Sequence, residues 1–224
     1  QTCYNAGRPY DGSYTAYGTV NLGTGVPYST PYTYTARWRG CVGSRNYPLD
    51  LGDAVDPTAK VPGFLETDCA SPMQRLTSNW WDIYDKIITM TVGGETYIPA
   101  GLLWGWRSLS SRPPFADGSS SPDVKKFMVV MTDGQNTLTP SYPYHVGGTA
   151  TTANALTAQT CQNIKNDGIS IFTVALSVTD PDIKAILRNC ASTPTQFYDA
   201  ADTLALASSF QQIGTQLTAV RLTQ

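Results

Sequence analysis

Charge is scarce in this chain, and histidine scarcer. Only 14% of its 224 residues are Asp, Glu, Lys or Arg, against about 25% in an average globular chain, and His145 is the one histidine. The net charge is -2 and no stretch gathers Lys and Arg, so the electrostatic footprint of a nucleic-acid or anionic-membrane binder is missing. No run approaches the ~20 apolar residues of a membrane span. The amino terminus has neither a starting Met nor the basic and apolar regions of a signal peptide. The sequence is therefore expected to be a processed or excised piece, with any export signal or anchor in the part that is absent.

The usual signatures of catalysis are absent too. There is no Gly-x-Ser-x-Gly elbow, and His145 sits in a Pro- and Tyr-containing loop, so Ser-His-acid chemistry has no support. An aspartate nucleophile at Asp133 would want a second carboxylate two residues on, where Gln135 stands. No glycine loop suited to cradling phosphate occurs. The expectation is that the chain is not an enzyme.

What is present is a 41% hydrophobic content, enough for a real core, with 13 Tyr, 19 Gly and 15 Pro. A hydroxyl-rich, lysine-poor surface suits an extracellular or cell-envelope protein, in the periplasm or at the cell surface. Five cysteines, Cys3, Cys41, Cys69, Cys161 and Cys190, show no pair at the two-residue spacing of a zinc knuckle or thioredoxin-type motif. Disulfides in an oxidising compartment are the expectation, Cys41 with Cys69 and Cys161 with Cys190, each closing a loop of about 29 residues worth about 3 kcal/mol. Cys3 is then left over and wants a partner outside this chain. Five reduced core cysteines are the alternative.

Residues 1 to 70 are rich in Tyr, Thr, Gly and Pro, with β-like runs at 14–20 and 32–38, and form an expected irregular β and loop region. Residues 71–224 alternate helical and strand patterns. Ser78 is placed to cap a helix to about Met90, whose Trp80, Ile83, Tyr84, Ile87 and Ile88 stripe predicts core. Pro99 fits the first turn of a second helix carrying Leu102, Leu103, Trp106 and Leu109. A strand over 126–132 follows, then a polar loop to about Gly148 and a helix near 152–166 closed by Gly168. Strand 169–176, a helix capped by Asp180-Pro181 and ending near Cys190, and a short strand at Phe197-Tyr198 come next. A last helix over about 201–219 carries an expected stripe of Leu204, Ala207, Phe210, Ile213, Leu217 and Val220. Strands separated by helices need crossover connections, so the fold class is α/β, a parallel sheet with helices on both faces.

The most informative run is Lys126-Phe-Met-Val-Val-Met-Thr-Asp-Gly-Gln-Asn-Thr137. An apolar strand ending at a carboxylate and turning on glycine sets Asp133 at the strand's carboxyl end, outside which open α/β sheets bind their ligands. Thr96, after Gly93-Gly94 and just ahead of a helix, is placed to point its hydroxyl into the same crevice. Hard divalent cations such as Mg²⁺ or Ca²⁺ take several oxygen ligands, with Asp133 acting directly or through a water. Two oxygens do not complete such a site.

Val129-Val-Met-Thr-Asp-Gly134, preceded by Gly93-Gly-Glu-Thr-Tyr-Ile-Pro-Ala-Gly101-Leu-Leu-Trp-Gly-Trp-Arg-Ser-Leu109, resembles the later part of a von Willebrand factor A domain. More narrowly, Trp38-Arg-Gly-Cys-Val-Gly-Ser-Arg45, Cys161-Gln-Asn-Ile-Lys165, Leu187-Arg-Asn-Cys-Ala-Ser192 and Val220-Arg-Leu-Thr223 resemble the TadG-like pilus-assembly proteins of bacterial tight-adherence systems. The resemblance implies a Rossmann-like sheet and a metal-ion-dependent adhesion site built from three loops. Thr96 matches its second-loop threonine and Asp133 its third-loop aspartate. The first loop, Asp-x-Ser-x-Ser after the opening strand, has no match, because Asp11-Gly-Ser13 and Asp117-Gly-Ser-Ser-Ser121 follow no apolar strand.

The resemblance therefore implies that the opening strand is lacking here and belongs to an amino-terminal fragment of the same precursor. That fragment would complete the sheet and the metal site, and would carry any membrane anchor. The implied function is a non-enzymatic interaction or adhesion module for pilus assembly or surface attachment, with other pilus or surface proteins as partners. A structural subunit of an extracellular filament, without metal dependence, is the alternative.

Overall fold

A computed structural model describes residues 12–21, 27–36, 38–45, 47–54, 61, 63–65, 71–91, 96–137 and 149–222. Its elements are β1 (Gly12–Asn21), β2 (Pro27–Ala36), β3 (Trp38–Val42), β4 (Gly63–Leu65), α1 (Trp80–Ile88), α2 (Ile98–Leu109), β5 (Lys126–Thr132), α3 (Ala150–Asn166), β6 (Ile169–Leu176), α4 (Pro181–Cys190), β7 (Phe197–Ala200) and α5 (Thr203–Leu222). Short 3-10 turns occupy Leu49–Leu51 and Pro194–Gln196.

The centre is a parallel sheet of order β5-β6-β7, with Lys126 to Thr132 in register with Ile169 to Ala175. Parallel strands covered on both sides read as near-continuous apolar runs, and β6 (Ile-Ser-Ile-Phe-Thr-Val-Ala-Leu) is apolar except at Ser170 and Thr173 and buried along most of its length. Successive side chains point to opposite faces. On one face Met128, Ile169 and Ile171 pack with Leu102, Leu103 and Trp106 of α2 and Ile164 of α3, while Ala175 packs with Ile183 and Leu187 of α4. On the other, Phe172, Val174, Tyr198 and Ala200 pack against Ile213 of α5, with Phe127 at the margin. The α/β expectation, with helices on both faces, is what the chain adopts.

Local chemistry sets the ends. Asp180 accepts from the backbone amides of Asp182 and Ile183, and Thr149 from that of Thr152, each satisfying donors that a helix start leaves open. Gly168 (φ +79°) turns the chain from α3 into β6, a conformation that side chains with a Cβ resist. Cys161 and Cys190 are joined by a disulfide that ties α3 to the end of α4. Cys41 is buried and disulfide-bonded; Cys3 and Cys69 lie outside the described residues, as does His145.

In the amino-terminal region the expected β-like runs pair as a hairpin, β1 against β2 with Gly12 opposite Ala36 and Asn21 opposite Pro27. Other expectations need correcting. Asn79, not Ser78, caps α1, its side chain accepting from the amide of Trp81. The apolar stripe of α1 is not core: Trp80, Ile83, Tyr84, Ile87 and Ile88 are all exposed, since no described element packs closely against this helix. In α5 the inward stripe is Leu206, Ser209, Ile213 and Leu217, while Leu204, Ala207 and Phe210 face out. Ile213 anchors the helix, and its buried neighbours lie one residue away from the expected stripe at that amino-terminal end.

Candidate functional site: the carboxyl rim and open edge of β5

β5 ends in a turn that holds itself. The Thr132 hydroxyl donates to the Gly134 carbonyl at 2.9 Å and accepts from the Gly134 amide at 3.3 Å, leaving Asp133 exposed at the strand's carboxyl end. Three residues on, Asn136 is 1% exposed. Its Oδ1 accepts from the Ile98 amide at 2.8 Å, a cap for α2 supplied from the loop after β5, and its Nδ2 donates to Asn154 and Thr157 of α3. Thr137 then bridges to Thr96 twice, its hydroxyl accepting from the Thr96 amide and its amide donating to the Thr96 carbonyl, both at 2.9 Å.

These bonds bring the two candidate metal ligands to one rim. Thr96 is lashed to the loop that begins at Asp133. Among the described residues no group of three or more His, Cys, Asp or Glu is placed to hold an ion. A hydroxyl and one carboxylate are the right oxygen type for Mg²⁺ or Ca²⁺ but too few to make a site by themselves. Asp117, in the rejected Asp-Gly-Ser string, is instead paired with Arg75, which holds its carboxyl below the usual carboxylate range.

Among the described residues the sheet edge beside this rim is open. β5 pairs with β6 on one side, and on the other no described strand joins it. Val129 is 40% and Met131 50% exposed, on the face that α5 covers only as far as Phe127. Between α2 and this edge runs a groove of about 300 Å³, lined by Thr96, Tyr97, Ile98, Gly101, Leu102 and the β5 backbone and side chains. The Tyr97 phenol is pushed up to about 12 by burial and by the Asp50 charge, so it stays protonated and offers no base to the groove.

A second buried polar cluster has no sequence signature of its own. Arg45 donates to the Ala54 and Gly52 carbonyls at 2.7 and 3.0 Å, and Asp53 accepts from Ser110 at 2.6 Å with Arg112 at 3.4 Å. Arg107, 1% exposed, stacks its guanidinium 4.5 Å from the Trp104 ring. Burial first, and the Arg45 charge second, push its pKa down to about 10, against the pull of Asp53. Asn163 of α3 donates to the Leu51 carbonyl at 2.9 Å. Segment 47–54 is thus fastened to α3 and to the end of α2, and the cluster is a clasp between them.

The family model of the von Willebrand factor type A domain matches residues 88–212, more than half of the chain, and the chain belongs to that family. No curated protein matches it. Among solved structures it is similar to proximal thread matrix protein 1 from the mussel byssus, in one crystal form at 19% identity and TM-score 0.45 over 69% of this chain and 33% of that one. A second structure of the same protein gives 20% identity and TM-score 0.42 over 67% and 32%. This chain spans about a third of the length of those chains.

Proposed function

We propose that this chain is a non-enzymatic interaction module that acts outside the cytoplasm by taking a strand from another polypeptide onto the open edge of β5. The single observation that carries this reading is the edge itself. Among the described residues β5, apolar and ending in the rim, has no strand on one side, and Val129 and Met131 are exposed beside a groove. Unpaired strand edges are templates for strand addition, in which main-chain hydrogen bonds give affinity and side-chain pockets give selectivity. Membership of the von Willebrand factor type A family supports an interaction or adhesion role. The Cys161–Cys190 disulfide supports an oxidising compartment, extracellular or in the cell envelope. Among the described residues no helix is long and apolar enough to cross a membrane.

The finer reading keeps what the sequence resemblance implies. The module serves pilus assembly or surface attachment in a tight-adherence system, and its strand donor is the amino-terminal portion of its precursor or another pilus or surface protein. Thr96 and Asp133 grip Mg²⁺ or Ca²⁺ once the donor adds oxygens. A metal-free scaffold role is favoured by a different observation, the exposed apolar face of α1 from Trp80 to Ile88, which supplies a second contact surface that needs no cation.

The test is hydrogen exchange on the chain mixed with a synthetic strand peptide of alternating Val and Thr, with and without Mg²⁺. Protection that rises over 126–132 is expected, strengthened by the ion if the rim binds it. If the peptide protects no amide in that span, strand addition is wrong; if it protects them equally in a chelator, the scaffold form is favoured.

A further inference from the structure

We infer that Arg107 holds a small inorganic anion of the chloride type, enclosed where α2 meets α3 and the segment carrying Arg45 and Asp53. The inference is independent of the β5 edge and adds a site elsewhere in the domain.

Arg107 lies in the last turn of α2 at 1% exposure and heads the large side chains that the fold buries completely. Its guanidinium stacks 4.5 Å from the ring of Trp104, which occupies one flat face of the group. The N–H bonds of a guanidinium point outward in its plane, so a ring over the face leaves them to find acceptors at the rim. Among the described residues none is supplied. Both terminal nitrogens are buried, and neither has a hydrogen-bond partner in the protein. Buried polar groups are paired in the great majority of cases, and a buried charge without a partner is among the costliest arrangements in a fold.

The neighbouring charges decide what kind of acceptor fits. Arg45, a like charge, acts on Arg107 more strongly than Asp53, the opposite one. Asp53 is moreover committed, accepting from Ser110 at 2.6 Å with Arg112 at 3.4 Å. Asp50, the other buried carboxyl of the cluster, acts on Tyr97 at the far end of α2. The field at Arg107 is therefore positive and short of an acceptor. Water would supply the acceptor without offsetting the charge, whereas an anion supplies both. The same imbalance holds around it: the Thr160 hydroxyl of α3, 0% exposed, is a further buried donor without a partner, and Asp50 Oδ1 is the one such acceptor among the described residues.

Enclosure fixes the size of the ion. Because the two nitrogens are closed to solvent, no loop of a partner and no further stretch of polypeptide reaches them without unpacking α2 from its neighbours. The occupant is small enough to be taken up as the clasp closes. By pairing with Arg107 it fastens the end of α2 to the segment that Asp53 already ties to Ser110.

The experiment is thermal unfolding of the full chain in a chloride titration at constant ionic strength, the balance made up with gluconate, which is too large for an enclosed site. The unfolding temperature is expected to rise with chloride and level off, by about 5 °C or more at a hundredfold excess over the dissociation constant. Arg107→Met, which keeps the length of the side chain and removes its donors, is expected to lose this dependence. Arg188→Met is the control: Arg188 also stacks on a ring, that of Phe197 at 4.6 Å, but is exposed, and its variant is expected to respond as the parent does. A parent with the same unfolding temperature in chloride and in gluconate overturns the inference. An Arg107→Met variant that folds and keeps the whole chloride shift overturns it too, since the ion then sits elsewhere. Should Arg107→Met fail to fold, anomalous diffraction from a bromide-soaked crystal of the parent decides. A bromide peak within hydrogen-bond distance of both terminal nitrogens of Arg107 supports the site, and no peak there rejects it.

Discussion

Val129 and Phe172 stand in register on adjacent parallel strands, yet Phe172 is 1% exposed and Val129 40%. One step across the sheet separates a residue enclosed by α5 from one at the open edge. Substitutions at the two are expected to separate stability from association. Phe172→Ala removes a buried ring and leaves a cavity, costing about 3 to 5 kcal/mol. Val129→Thr keeps the shape and adds a hydroxyl where water already reaches, and is expected to stay within about 0.5 kcal/mol of the parent. Urea unfolding of both variants checks this; a Val129→Thr cost comparable with that of Phe172→Ala would show that the β5 edge is enclosed after all.

The disulfide gives a second, independent expectation. Cys161 and Cys190 are both buried and separated by 29 residues, and the bridge ties α3 to the end of α4. Closing a loop of that length constrains the unfolded chain by about 3 to 4 kcal/mol in the loop-entropy account. Replacing both with Ala is expected to lower the unfolding free energy by that amount while leaving the circular dichroism of the folded state unchanged. A double variant as stable as the parent would mean that the bridge adds strain equal to its entropic benefit.

Asp50 ties stability to pH. Burial raises its pKa above the ordinary 3.8, with its own backbone amide and Arg45 pulling the other way. A carboxyl whose folded pKa is raised binds more protons folded than unfolded just above 3.8, so its contribution is full below that value and is lost as pH rises through the folded pKa. Asp50→Asn, which cannot ionise, is expected to gain on the parent as pH rises through this window and to show no gain below it. Unfolding curves at a series of pH values decide the point, and a difference between the two proteins that does not vary with pH rejects it.

Periodicity and spacing made much of the α/β part legible. Strand 169–176 is apolar except at Ser170 and Thr173, as suits a strand covered on both faces, and Asp180-Pro181 and Gly168 punctuate their neighbours by rules that need no tertiary context. The same reasoning failed at α1, because a helical stripe reports that an apolar face exists and not that anything covers it. It failed in α5, whose apolar residues outnumber those that the sheet can cover, so that Leu204 and Phe210 are left outside. At the rim, Thr96 and Asp133 were visible as residue types at turns. Asn136 was not, since its importance lies in partners 38, 18 and 21 residues distant, which no local pattern announces.

Asn136 and Asp133 therefore make the sharpest contrast at the rim. The Asn136 side chain is buried and serves the Ile98 amide, Asn154 and Thr157 together, fixing the loop against both α2 and α3. Removing it with Asn136→Ala leaves a buried amide donor without its acceptor, which costs about 1 to 3 kcal/mol. Asp133 is exposed, so Asp133→Ala is expected to leave stability within about 0.5 kcal/mol. Partner binding should follow a different order. Asp133→Ala is expected to abolish any Mg²⁺ or Ca²⁺ enhancement while sparing the cation-independent part. Asn136→Ala is expected to weaken both parts, because the rim that carries Thr96 and the start of α2 loosens as one unit. Thermal unfolding paired with binding of the strand peptide, with and without the cation, measures all four quantities. Equal cation enhancement in the parent and in Asp133→Ala would remove this aspartate from the ion's ligands.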